Sequence, residues 1–235
     1  FAFGCNQTGA VFYIYNADEQ LTRFEKGTNT GMFIETHTIN PTLSIPSTDR
    51  GSIIVIGSYI YVFSNNGTNI VCSRFSATDL TGEQVMTVPT VSSVSYTIAW
   101  TDGVDVYLTC DNSPTTSRKW TISGTTMSAS STATISSLSD SGGYSTFWDG
   151  SYAYLVRYNT STYISIIKLT SIDATTTSTT VKIIPMNISD GYNSPISITI
   201  NSNTMYVGVL YRNYNESNAD AAICYNIKLI PITKP

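Results

Sequence analysis

Three aspartates stand at comparable places along the chain: Asp49, Asp140 and Asp190, each followed within a residue or two by a glycine, Gly51, Gly142 or Gly191. Each also precedes an apolar run that reads as a strand: Ser52 to Ile56, Tyr144 to Trp148 and Ile196 to Ile200. If the connections into those strands open onto one face, three carboxylates converge there. A pair of carboxylates is what acid–base cleavage of a glycosidic bond requires. The simpler reading is that each Asp closes its own turn beside the glycine by accepting a backbone hydrogen bond. That turn role is the preferred expectation, because no carboxylate lies within an inner strand, where burial would raise its pKa toward that of a general acid. Asp102 and Asp149 are followed directly by glycine and are expected to serve two-residue hairpin turns.

Other chemistry is thin. His37 is the only histidine, so no Ser/His/Asp or Cys/His arrangement and no multi-histidine metal site can be assembled; in its polar stretch it reads as a surface residue. Cys5, Cys72, Cys110 and Cys224 lie far apart with no C-x-x-C pair, which excludes a zinc ribbon and leaves free, mostly buried thiols as the expectation. Neither Asp18-Glu19 nor Asp111-Asn112 extends into a calcium loop, and no glycine-rich phosphate cradle is present. The reading therefore carries no cofactor and no metal.

Amides are more regular. After each of five tyrosine-centred runs comes an Asn-bearing connection: Asn16, Asn65, Asn112, Asn159 and Asn213. Topology gathers these with Tyr144, Tyr158, Tyr192 and Tyr214 at the end where the Asp segments enter. Neutral amides bond sugar hydroxyls without stripping water from a full charge, and a tyrosine offers a flat plate with a polar tip. These residues form the candidate ligand-binding set, although Asn suits tight turns for its own reasons.

What positions them is a repeat. The runs TGAVFYIYN, GSYIYVFSNN, DGVDVYLTCDN, DGSYAYLVRYN and SNTMYVGVLYRN centre on Tyr13, Tyr61, Tyr107, Tyr154 and Tyr206, about 48, 46, 47 and 52 residues apart. Each unit reads as four strands: an apolar inner run, the tyrosine run, an alternating third run and a polar outer run rich in Thr and Ser. Outer runs are expected at Met32 to Thr38, Gln84 to Val88, Met127 to Ile135 and Thr179 to Ile184, with none completing the fifth unit before Pro235. Composition agrees. Charged residues make up only 12% and Ser plus Thr roughly 28%, which suits pleated surfaces and starves long helices.

Four-stranded units recurring every 40 to 50 residues or so resemble β-propeller blades, Kelch-like or lectin-like, although neither a Kelch double glycine in each unit nor a WD dipeptide occurs. The resemblance implies an all-β, five-bladed β-propeller over residues 1-235, with about 47 residues and four antiparallel strands per blade. The blades fall at roughly 1-43, 44-91, 92-138, 139-190 and 191-235. It also extends to phage tail-fibre and receptor-binding propellers. The expected function is accordingly a non-catalytic recognition or adhesion module that binds a carbohydrate or cell-surface receptor, at the cell exterior or on a virion. Two alternatives stand beside it: a glycoside hydrolase of the five-bladed type working through Asp49, Asp140 and Asp190, and a scaffold domain of a larger assembly, paired with other parts of a longer parent chain. A formal net charge of -4 offers no basic field for nucleic acid, and no apolar run is long enough to span a membrane as a helix. Five sequons, at Asn6, Asn66, Asn159, Asn187 and Asn215, match the number chance alone supplies.

Overall fold

The computed structural model describes residues 2–6, 10–16, 19–28, 30–42, 51–65, 69–91, 97–110, 116–134, 144–149, 151–159, 163–169, 178–185, 197–201, 204–213 and 224–233. They form antiparallel β-sheets. Sheet one runs β1 (Ala2–Cys5), β2 (Val11–Tyr15), β3 (Leu21–Lys26) and β4 (Phe33–Ile39). Sheet two follows with β5 (Ser52–Ile56), β6 (Tyr59–Asn65), β7 (Ile70–Ser76) and a short β8 (Gln84–Val85). Sheet three holds β9 (Thr97–Thr101), β10 (Val106–Cys110), β11 (Thr116–Ser123) and β12 (Thr126–Thr134). Sheet four holds β13 (Tyr144–Trp148), β14 (Ala153–Asn159), β15 (Tyr163–Leu169) and β16 (Ser178–Pro185). Sheet five has three strands, β17 (Ser197–Asn201), β18 (Thr204–Asn213) and β19 (Cys224–Thr233). Every sheet is a meander in chain order, and each repeat tyrosine lies in the second strand of its sheet.

The chain divides into two compact units. One comprises residues 1–135 with 172–175 and contains sheets one to three; the other comprises 136–171 with 176–235 and contains sheets four and five.

In the first unit the period-2 alternation of sheet two sorts its side chains onto two packed faces. Ile53, Ile60, Val62 and Phe75 share one core with Tyr13, Tyr15 and Leu21 of sheet one. Ile54, Tyr61, Phe63, Ile70 and Cys72 share another with Ala99, Val106, Leu108, Trp120 and Met127 of sheet three. Sheets therefore stack face to face, which explains why so few strand positions in sheet two are polar. Burying each of these large side chains contributes about 1.5–3 kcal/mol. The inner strands follow the same order, β1 beside β5 and β5 beside β9. Gly4 marks the tightest of these approaches: a Cβ there would lie 2.4 Å from the Ile53 carbonyl oxygen. In the second unit β13 lies beside β17.

Outer strands behave as edges should. β4 is exposed along nearly its whole length, His37 included. Register shifts interrupt the third-to-fourth strand ladder at Arg23/Phe24, Lys119/Trp120 and Ile166/Ile167. Such bulges bend an edge away from unwanted pairing.

Some expectations need correction. The fourth strand of sheet two stops at Val85 rather than Val88, because Thr87 leaves its own sheet to bridge Thr126 of sheet three. The turns at Asp102 and Asp149 are not two-residue hairpins: Thr101 pairs with Val106 and Trp148 with Ala153, leaving four-residue loops. A two-residue turn does join β5 to β6 through Gly57, whose φ of 58° favours glycine. Cys72 is a buried free thiol as expected, but Cys5 is exposed, on an inner strand's face turned away from sheet two.

Candidate functional site

The antiparallel register fixes which segments share an end of each sheet. In sheets one to four the first residue of the inner strand lies opposite the end of the second strand or within two residues of it: Ala2 with Tyr15, Ser52 with Phe63, Thr97 with Cys110 and Tyr144 with Arg157; in sheet five Ser197 lies opposite Gly208, five residues before the end of β18. A segment entering an inner strand and the loop leaving the second strand are therefore neighbours in sheets one to four, whereas in sheet five β18 runs on past the start of β17. That end is the candidate site, and it is where the sequence places the three aspartates and the Asn-bearing loops. Asp49, Asp140, Asp190, Asn112, Tyr192 and Tyr214 themselves fall outside the described residues.

Of the remaining predicted residues, Tyr144 opens β13, while Tyr158 and Asn159 end β14, with Asn159 opposite Tyr163. Asn213 ends β18 opposite Cys224. Two can be followed to their side chains. Asn16 closes the β2–β3 turn: its Oδ1 accepts the Gln20 amide at 2.9 Å, and its backbone N–H donates to the Gln20 carbonyl at 3.0 Å. The turn places Glu19 at a φ of 60°. Asn65 is buried, 2% exposed, at the end of β6. Both contribute to the frame of the site, one by building a turn and the other by filling the interior.

The opposite end of the sheets holds the aspartates that serve turns. Asp102 Oδ1 accepts the amides of Val104 and Asp105 at 2.9 and 2.8 Å, and its Oδ2 accepts the Tyr107 hydroxyl at 2.9 Å. Burial alone would raise this carboxyl, but those donors bind its charged form and hold it below the ordinary carboxylate value. Tyr107 is pushed up by burial and by the charge and hydrogen bond of Asp102. Asp149 repeats the motif, its Oδ1 accepting the amides of Ser151 and Tyr152, both at 2.7 Å. Tyr154, facing it, is pushed up to about 12 by burial and then by Asp149.

One regularity escaped the sequence reading. In each four-stranded sheet the repeat tyrosine faces a cation directly across the ladder: Tyr13 and Arg23, Tyr61 and Arg74, Tyr107 and Lys119, Tyr154 and Lys168. In sheet five the position is taken by Pro231, opposite Tyr206. A basic residue near the middle of each alternating third run was the available signal. Among the described residues no group of three His, Cys, Asp or Glu side chains is placed to hold a metal ion.

No protein-family profile and no curated protein matches the sequence. Solved structures do resemble it. The GH43 protein BlXynB of Bacillus licheniformis superposes with a TM-score of 0.57 at 11% identity, over 98% of this chain and 51% of that one. A lysine-to-serine mutant of BlXynB gives 0.56 at 12% identity with the same coverage. The fold is of the propeller kind. At this identity the likeness speaks for the fold, and the chain spans about half the length of these structures.

These neighbours correct the expectation of a non-catalytic recognition or adhesion module. They are GH43 glycoside hydrolases, so the comparison sides with the hydrolase alternative, and it lends no support to a virion, tail-fibre, adhesive or receptor-binding role. The physical reason for the error is plain. Surfaces that hold a sugar and surfaces that cleave one share amides, hydroxyls and aromatic plates, and differ by two or three carboxylates that, beside glycine, look like turn residues.

Proposed function

We propose that this chain is a five-bladed propeller that hydrolyses glycosidic bonds, with Asp49, Asp140 and Asp190 as its working carboxylates. The observation that carries the reading is the superposition on GH43 proteins along 98% of the chain. Chain position supports it: each of the three aspartates precedes an inner strand in the sequence, Asp49 before β5, Asp140 before β13 and Asp190 before β17.

The chemistry needs one carboxylic acid to protonate the departing glycosidic oxygen and one carboxylate to act on the opposite side of the sugar ring, as base toward water or as nucleophile. A third carboxylate nearby raises the pKa of the acid by like-charge repulsion and keeps it protonated near neutral pH. Asn112, Asn159 and Asn213, with Tyr144, Tyr158, Tyr192 and Tyr214, are the proposed contacts to sugar hydroxyls and ring faces. A polymeric glycan as substrate goes with action outside the cell.

The test is hydrolysis of a panel of aryl glycosides and polysaccharides by the chain and by Asp49→Asn, Asp140→Asn and Asp190→Asn, with circular dichroism as the control for folding. The proposal expects turnover by the parent and at least a hundredfold loss in two of the three variants. An inert parent, or three variants as active as the parent, overturns it.

A further inference from the structure

The cations facing the repeat tyrosines do not all do the same thing. Arg23 is buried, 7% exposed. Its Nη1 donates to Thr36 Oγ1 at 2.8 Å and its Nη2 meets Glu25, both within sheet one. Its Nε reaches across to sheet two and donates to the Ala77 carbonyl at 2.9 Å, where the Tyr13 hydroxyl also donates at 2.7 Å. Ala77 is the first residue past β7. Arg74 repeats the arrangement one sheet further on: its Nη2 meets Gln84 in its own sheet, and its Nη1 donates at 2.9 Å to the carbonyl of Gly124, the first residue past β11 in sheet three. The lysines turn inward instead. Lys119 pairs with Asp105 of its own sheet at 3.3 Å, and Lys168 lies over the Tyr152 ring at 4.0 Å.

We propose that Arg23 and Arg74 are latches between consecutive sheets, each holding its own outer strand with one arm and the third-to-fourth strand turn of the next sheet with another. The guanidinium suits this work because its five donors point in fixed, divergent directions, whereas an ammonium is one point charge on a flexible stem. A carbonyl has two lone pairs, so Ala77 can accept the tyrosine and the arginine together. At the second seam the latch stands next to a backbone bridge: the Thr87 amide donates to the Thr125 carbonyl at 2.9 Å and the Met127 amide to the Thr87 carbonyl at 2.8 Å. Arg74 fixes the turn against which that bridge forms. The inference goes beyond the proposed hydrolase and does not depend on it.

Hydrogen exchange of the whole chain, resolved by residue, tests it. In Arg74→Lys the amides of Thr87 and Met127 are expected to exchange about tenfold faster, the scale of one lost charge-assisted hydrogen bond, while β5 and β6 keep their protection. In Arg23→Lys the faster amides are Leu80, which donates to the Ser76 carbonyl within the β7–β8 turn, and Ala77, which donates to the Ser58 carbonyl of the β5–β6 turn. Gln84→Ala, which removes only the partner in the same sheet, leaves Thr87 and Met127 as they were. If Arg23→Lys does not fold, Tyr13→Phe removes the companion donor to the same carbonyl and is expected to loosen the same turn. Unchanged exchange at these amides in Arg74→Lys, or a uniform rise across every strand, overturns the latch.

Discussion

Gly4 to Ala is the smallest change that asks whether the inner strands meet backbone to backbone. Gly4 lies in β1 opposite Tyr13, and an added Cβ would fall 2.4 Å from the carbonyl oxygen of Ile53, 2.8 Å from its Cβ and 2.9 Å from its carbonyl carbon. These atoms belong to the backbone and Cβ of a neighbouring strand, so no rotamer change relieves the contact and the strands must part. Overpacking of this kind costs about 1–3 kcal/mol, and the rigid partner places it at the upper end. Against it stands the lower chain entropy of Ala in the unfolded state, which favours the variant by about 0.4–1 kcal/mol where the backbone permits. The clash wins, leaving a net loss of about 2 kcal/mol. For a chain of this size that is a fall in Tm of about 4–8 °C, measured by differential scanning calorimetry or circular dichroism. Ile53→Val in the same background gives no rescue, because it trims a methyl and leaves the carbonyl and Cβ in place. A variant as stable as the parent, or more stable, would refute the close approach of β1 and β5 and with it the stacking of sheets one and two about their inner strands.

Tyr107→Phe removes a donor from the charged form of Asp102, so the carboxyl pKa of Asp102 is expected to rise, read by NMR titration of its side chain. Because the folded pKa of Asp102 is depressed, its stabilisation is fully present above the unfolded value of about 3.9 and is lost as pH falls through the lower folded value. The variant should accordingly lose about 1 kcal/mol near neutral pH, a figure reduced for the solvent access of this loop, and less once the pH falls through the folded value. An Asp102 titration that does not move would deny the Tyr107 hydrogen bond. With Cys110 and Cys224 replaced by Ser, a thiol reagent at pH 9 should label Cys5 in the native protein and Cys72 only after unfolding, since Cys72 is fully buried and its thiol is held well above the ordinary value by that burial. Native-state labelling of Cys72 on the same timescale would contradict the core that sheets two and three share.

The repeat was legible in detail. Inner strands fall within a residue or so of the runs read from the sequence, as with Ser52–Ile56 and Tyr144–Trp148, because alternation and turn residues are local signals that each strand carries in itself. The turns were read less well. Asp102 and Asp149 were assigned to the backbone and do serve it, but Asp-Gly suggested two-residue hairpins, whereas the carboxylate gathers two amides and stabilises a longer loop. Asn16 builds a turn, and the recurrence of asparagine after each tyrosine run does not separate that role from sugar binding.

The sequence by itself determined the strands, their order and the alternation that gives each sheet two usable faces, since a side chain's face depends only on its neighbours along the chain. Only the tertiary structure decided how Gly4 meets Ile53, that one donor of Arg23 and one of Arg74 find carbonyls 54 and 50 residues away, and that Thr87 deserts its own sheet for the next. Contacts of that kind are set by the distance and angle at which two sheets stack, and those follow from the summed shape of both packed faces rather than from any run of residues in one of them.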